Sequence, residues 1–335
     1  MITTSKIDRL LKFYKNAEKE KFLGLSALYL LQYYITHDCN LDCGYCDLPK
    51  SSEASSEEST RTIIEHSQTE FDIPVINFIG GEPLLREDLI NLIEYANSFN
   101  MISSISTNGS LLDERFIDSF AKAGGDFIYV SLDGVDSINS SKKTLAEKPD
   151  LIDLLTYAKD EHGIIGKIHC VITPYNLDEI HKLVEEVAFN ISISFGLVNQ
   201  EPLIRQDPAI SGELQKIVDY LIKEKDNGAL ITTPLHYLNG IPNYLADDAL
   251  FEDCGIGLNA IQIDIDGKIF KCAAAGSKSN ANFLDMTREK YLGEANRNIR
   301  ELKGRYCLDC TSLCGFFARY NAVNFHELVE IYTKS

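Results

Sequence analysis

The segment HDCNLDCGYC, residues 37 to 46, puts Cys39, Cys43 and Cys46 within eight positions. Thiols grouped this tightly, in a chain with no secretory signal, bind metal more readily than they pair as disulfides. Zinc in a structural site takes four protein ligands, commonly as two close pairs, and His37 is the imidazole near enough to be a fourth. An iron-sulfur cube held by three thiolates instead leaves one iron open to a small ligand, which is useful only to a catalyst. The spacing favours the cube, with zinc as the alternative. Further on, Gly80-Gly81-Glu82-Pro83 combines two glycines that permit close backbone approach with a carboxylate that can receive an ammonium group. Taken alone, that tetrapeptide is equally a strand-to-helix turn.

A second thiol group lies far downstream: Cys254, Cys272, Cys307, Cys310 and Cys314. Cys272 ends the run IQIDIDGKIFKC, whose two alternating apolar halves flank Asp266-Gly267 and predict a hairpin. Cys170, the ninth cysteine, reads as a small apolar residue of a strand.

These groups need elements to position them. Apolar runs predict strands at Tyr29 to Ile35, Val75 to Ile79, Ile102 to Ser106, Phe127 to Ser131, Lys167 to Ile172 and Ile191 to Leu197. Helical patterns lie between them, among them Arg86 to Phe99, Asp113 to Ala123 and Leu177 to Ala188. Such β/α alternation implies a parallel sheet covered by helices, either open or closed toward a barrel, with functional groups at the carboxyl ends of its strands. The three-cysteine loop follows the first strand, and Gly80 to Pro83 follow the second. The polar stretch Lys50 to Thr60 reads as a solvated loop entering the first helix. After Glu201 the alternation stops. A helix near Gly212 to Asp226 and the proline-punctuated TTPLHYLNGIPNYL lead into the cysteine-rich end. The expected divisions are a helical segment over 1–28, the β/α unit over 29–200, a helical linker over 201–245 and a small α+β domain over 246–335.

At 335 residues the chain can bury a substantial core without disulfides. With 50 Asp and Glu against 32 Lys and Arg, the net charge of -18 argues against nucleic acid as the main partner. No signal peptide and no apolar run of about 18 residues are found, so neither export nor a membrane span is expected, and a reducing cytosol suits the nine cysteines.

The Cys39-x3-Cys43-x-Tyr45-Cys46 loop after a first strand, followed by Gly80 to Pro83 after a second, resembles the radical S-adenosylmethionine (radical SAM) superfamily. The resemblance spans roughly residues 29 to 200 and implies a partial (β/α)6 TIM-like barrel. It implies that Cys39, Cys43 and Cys46 hold a [4Fe-4S] cluster whose open iron takes the amino and carboxylate groups of S-adenosylmethionine. Tyr45 then fills the family's aromatic position, and Gly80, Gly81, Glu82 and Pro83 its cofactor motif, with Glu82 meeting the ammonium. Thr107, Asn108, Ser131 and Asp133, at the ends of the third and fourth strands, would meet the methionine carboxylate and ribose; as turn formers they are equally well explained.

The distal thiols resemble the SPASM and twitch extensions of the same superfamily. Cys254, Gly267 and Cys272 follow the spacing of their opening element, and Cys307 with Cys310 supplies a C-x-x-C pair. One auxiliary [4Fe-4S] cluster is implied, with Cys314 or Cys307 as the spare thiol; a zinc ribbon is the alternative. The implied activity is reductive cleavage of S-adenosylmethionine to a 5′-deoxyadenosyl radical that takes hydrogen from a substrate. The substrate would be a ribosomally made peptide or, alternatively, a small molecule, and a reductase such as flavodoxin or ferredoxin would supply the electron. A zinc-bearing scaffold and an electron carrier are the readings from another class.

Overall fold

Short Val- and Ile-rich runs cannot expose either face cheaply, and the chain hides them by stacking them as parallel strands beneath helices. The computed structural model describes residue 8 and residues 28–46, 48–138, 141–199, 201, 203–246, 256, 259–272 and 277–293. The strands are β1 (Leu30–Thr36), β2 (Val75–Gly80), β3 (Ile102–Thr107), β4 (Phe127–Ser131), β5 (Ile165–Ile172) and β6 (Ser192–Leu197). Between them run α1 (Glu57–Thr69), α2 (Leu89–Ser98), α3 (Glu114–Lys122), α4 (Leu151–His162) and α5 (Glu179–Val187). Each strand pairs in parallel with the next. The expected α/β partial barrel is therefore present, with strand ends only slightly displaced from the apolar runs.

Beyond β6 come α6 (Leu203–Gln206), α7 (Pro208–Asp226) and α8 (Leu235–Leu245). The proline-punctuated stretch is thus largely helical: Pro234 precedes α8 and Pro242 sits in its last turns, where a missing N–H removes a single hydrogen bond. Leu214, Ile217, Val218 and Leu221 of α7 and Tyr237, Leu238 and Ile241 of α8 join the same hydrophobic core as the β/α units.

The hairpin expected around Asp266-Gly267 forms from β7 (Ala260–Ile263) and β8 (Lys268–Cys272), followed by β9 (Ser277–Asn282). Gly267 takes a φ of 76°, which its turn requires and which a residue with a Cβ resists. β7 does not stand apart: it lies parallel to β1 on the side away from β2, giving one sheet of order β6-β5-β4-β3-β2-β1-β7-β8-β9.

Side chains alternate across this sheet. Tyr33, Phe78, Ile105, Val130, Cys170 and Phe195 point into the helix-covered core and are wholly buried. α1 starts where Ser56 accepts a hydrogen bond from the Ser59 N–H, with Glu57 and Glu58 in its first turn, so the polar stretch before it is part loop and part helix cap. Among the described residues no helix is long and apolar enough to cross a membrane.

Candidate active site

The three-cysteine loop leaves β1 at Thr36 and is clamped from behind by Gly80 and Gly81. The Gly81 N–H donates to the Thr36 carbonyl at 2.8 Å and the Glu82 N–H to the Asp38 carbonyl at 2.7 Å. A Cβ on Gly80 would overlap the Thr36 carbonyl, and one on Gly81 the carbonyl of Asp38. In the structure the glycines therefore serve close approach of backbone to the loop itself. Arg86, read from sequence only as the start of a helical pattern, fastens the same corner. Its guanidinium donates to the carbonyls of Ile35 at 2.8 Å and Ser55 at 2.7 Å and pairs with Asp88.

Glu82 is fully buried at the centre of this corner. Its carboxylate accepts hydrogen bonds from the Leu84 N–H at 3.0 Å, the Thr107 hydroxyl at 2.7 Å and the Asn108 N–H at 2.7 Å. Pro83 opens a short 3-10 turn that Glu82 caps. Three of about four acceptor positions on the carboxylate are thus taken, and Thr107 and the Asn108 backbone face Glu82. Burial pushes the Glu82 carboxyl up despite these donors. The Asn108 amide donates to Asn40 at 2.8 Å and lies 4.0 Å from the Cys39 sulfur, so the end of β3 touches the cysteine loop directly.

The end of β4 grips the loop from the other side. Tyr45 donates its hydroxyl to Asp133 at 2.5 Å, and burial, reinforced by the Asp133 charge, pushes the phenol far up, so it stays protonated. Asp133, 1% exposed, also accepts from Ser141 at 2.7 Å and pairs with Lys143 at 3.4 Å. The Lys143 ammonium stands 4.8 Å from the centre of the Tyr45 ring, a cation–π contact. Ser131 is half-buried on the inner face, beside His169. Lys143 and Ser141 carry no spacing signal; their segment, SINSSKKTLAEK, reads only as a polar connector. Asp133→Ala leaves the Lys143 charge buried and uncompensated, which should cost about 3 kcal/mol or more. Lys143→Met in the same chain should recover a large part of that loss in chemical denaturation. If the double substitution is no more stable than Asp133→Ala, the pair does not hold this corner.

Cys39 and Cys43 are half-buried, Cys46 is exposed, and none is in a disulfide. The Leu41 N–H points to the Cys39 sulfur at 3.4 Å, and the Ser141 hydroxyl lies 4.0 Å from that of Cys43. Burial pushes the Cys43 thiol up while the Lys143 charge pulls it down. Among the described residues no group of three or more His, Cys, Asp or Glu could hold one metal ion. A cube makes a different demand, since each thiolate binds its own iron and the sulfurs stand apart. For zinc, His37 does not join the thiols in such a group: it is buried, with its Nε2 2.7 Å from the buried Asp264. Three free thiols on one loop, with hydrogen-bond donors near sulfur, suit a three-thiolate cluster. Of the distal thiols, Cys272 ends β8; Cys254, Cys307, Cys310 and Cys314 lie outside the described residues. Cys170 is buried in the helix-side core, as its sequence suggested.

Comparison with known proteins agrees with this geometry. Residues 33–187 match the profile of the Radical SAM superfamily. The PqqA peptide cyclase of Gluconobacter oxydans is 27% identical over 259 residues, covering 72% of this chain and 69% of that protein. A probable GTP 3',8-cyclase of Methanopyrus kandleri is 36% identical over 160 residues, 46% of this chain and about half, 51%, of its own length. The crystal structure of Streptococcus suis SuiB bound to precursor peptide SuiA superposes with a TM-score of 0.62 at 19% identity, covering 89% of this chain and 73% of that one. Residues 33–187, which carry the three-cysteine loop at the mouth of a partial parallel barrel, are the part of the chain that is similar to the radical SAM superfamily.

Proposed function

We propose that this chain is a radical SAM enzyme that oxidatively modifies a ribosomally made peptide. The observation that carries the reading is the loop of Cys39, Cys43 and Cys46, clamped between Gly80-Gly81-Glu82 and the Tyr45–Asp133 contact at the carboxyl ends of β1 to β4. When bound, a [4Fe-4S] cluster and S-adenosylmethionine would supply a 5′-deoxyadenosyl radical able to remove hydrogen from an unactivated carbon. The three thiolates hold that cluster. Gly80 to Pro83, Thr107, Asn108, Ser131 and Asp133 form the wall against which the cosubstrate is oriented, and Tyr45 fixes the loop. Cys254, Cys272, Cys307, Cys310 and Cys314 provide the thiols for one auxiliary cluster in a C-terminal unit from about residue 246, giving an exit for the electron that an oxidation releases. A flavodoxin- or ferredoxin-type reductase supplies the first electron.

The peptide class is supported by the PqqA peptide cyclase, whose similarity runs over 72% of this chain. Since similarity to the probable GTP 3',8-cyclase covers 46% of the chain, small-molecule chemistry is the second reading. Anaerobic reconstitution followed by dithionite and S-adenosylmethionine tests the enzyme directly. 5′-Deoxyadenosine should accumulate, with about eight irons per chain for two cubes. Zinc without iron would make the chain a scaffold, and iron without cleavage an electron carrier. A peptide product lighter by two hydrogens supports oxidation; unchanged mass with inverted stereochemistry would replace it with epimerisation.

A further inference from the structure

The face of the sheet opposite the helices mixes polar residues such as Gln32, Asn77, Ser104 and Ser131 with apolar ones such as Val75, Ile102 and Phe127. On β5, Ile168, Cys170 and Ile172 enter the core, so Lys167, His169 and Val171 alternate onto the inner wall. Strand register sets Lys167 between Tyr129 of β4 and Ser192 of β6, and His169 between Ser131 and Ser194. His169 is satisfied: its Nδ1 is 3.0 Å from the Ser194 hydroxyl, and burial pulls its pKa down to about 4, which keeps the ring neutral. Burial pushes Tyr129 up to about 12, so it too is uncharged. Lys167 differs. Burial pulls it down only to about 8, leaving it mostly protonated at neutral pH, and no opposite charge among the described residues meets it. The other lysine close to the strand ends, Lys143, is already engaged by Asp133.

An ammonium held half-dehydrated without a counter-charge is costly, and a chain of net charge -18 has many carboxylates that could have met it. We infer that Lys167 receives a carboxylate of the substrate, carried by an acidic side chain of a peptide lying along the inner wall of the barrel. Phosphate is disfavoured by the same geometry. The strand N–H groups around Lys167 belong to the β4–β5–β6 ladder and are not free to cradle phosphate oxygens. Tyr129 and Ser192, the register neighbours of Lys167 on β4 and β6, bring two hydroxyl-bearing side chains and no charge to the same level of the wall.

The inference rests on the enzymatic reading for why a peptide enters the barrel, but its test needs no cluster. The full chain is treated with trinitrobenzenesulfonate at about pH 8, where Lys167 is partly deprotonated, and labelled lysines are mapped by mass spectrometry. Two tetrapeptide pools, N-acetylated and C-terminally amidated and identical except for Glu in one and Gln in the other, serve as competitors. The Glu pool should slow labelling of Lys167 by about tenfold or more, as expected of a charge-assisted hydrogen bond, while the Gln pool has little effect. Surface lysines such as Lys216 should label equally with either pool. Equal labelling of Lys167 with both pools, or no labelling without competitor, overturns the site. Protection by Glu in a protein that fails to cleave S-adenosylmethionine would leave the carboxylate site standing and remove the enzyme; cleavage without protection would do the reverse.

Discussion

Cys43→Ala should release no 5′-deoxyadenosine above background from reconstituted protein, and should lower bound iron by about four per chain. Cys43 is the middle thiol of its loop, and the loop has no spare: a cube held by three thiolates has no fourth protein ligand to fall back on. Its neighbours do not substitute for sulfur, since Ser141 is turned to Asp133 and Tyr45 is kept protonated by its burial and by the same carboxylate. Cys272→Ala should behave differently. Cys272 ends β8, in the distal thiol group, so cleavage should survive while modified product is lost. The pair of variants separates radical generation from substrate oxidation, and full activity in both would contradict both assignments.

Gly81→Ala should be nearly as damaging without touching a ligand. The added methyl meets the Asp38 carbonyl and crowds that of His37, both backbone atoms of the segment entering the cysteine loop. Backbone cannot rotate away as a long side chain would, so either the loop shifts or the Glu82–Asp38 hydrogen bond breaks. Overpacking of this kind costs about 1–3 kcal/mol, and the displacement falls where three sulfurs must be placed together. The expected result is a clear drop in melting temperature with a loss of iron approaching the roughly four per chain lost in Cys43→Ala. Gly212→Ala is the control, because its Cβ meets nothing within 4 Å. Equal iron in Gly81→Ala and Gly212→Ala would show that the close approach at Gly81 does not shape the loop.

Much of this arrangement is legible in sequence because period and punctuation carry it. Phe127 to Ser131 is a short continuous apolar run set between Gly125-Asp126 and Asp133-Gly134, and it forms a strand over those residues. The Cys39, Cys43 and Cys46 spacing and the Gly80 to Pro83 turn are local, so their proximity follows once neighbouring parallel strands are assumed. What sequence could not yield depends on contacts between distant segments. Lys143 becomes significant only because its loop folds back over Tyr45. Glu82 reads in sequence as a carboxylate for an ammonium group, and the three donors that converge on it from two segments carry no sequence signal. The partnership of β7 with β1 was hidden for the same reason: a short hairpin signal fixes the turn between its own strands and says nothing of which other edge they join.

The His37–Asp264 contact bridges 227 positions of chain, and β7 covers the flank of β1 just below it. During synthesis on the ribosome, then, the cysteine loop emerges early and meets its clamps from Gly81, Arg86 and Asp133 next, but its His37 corner is not closed until residue 264 has been translated. Until that moment β1 presents a bare edge to any other nascent strand, a ready template for aggregation.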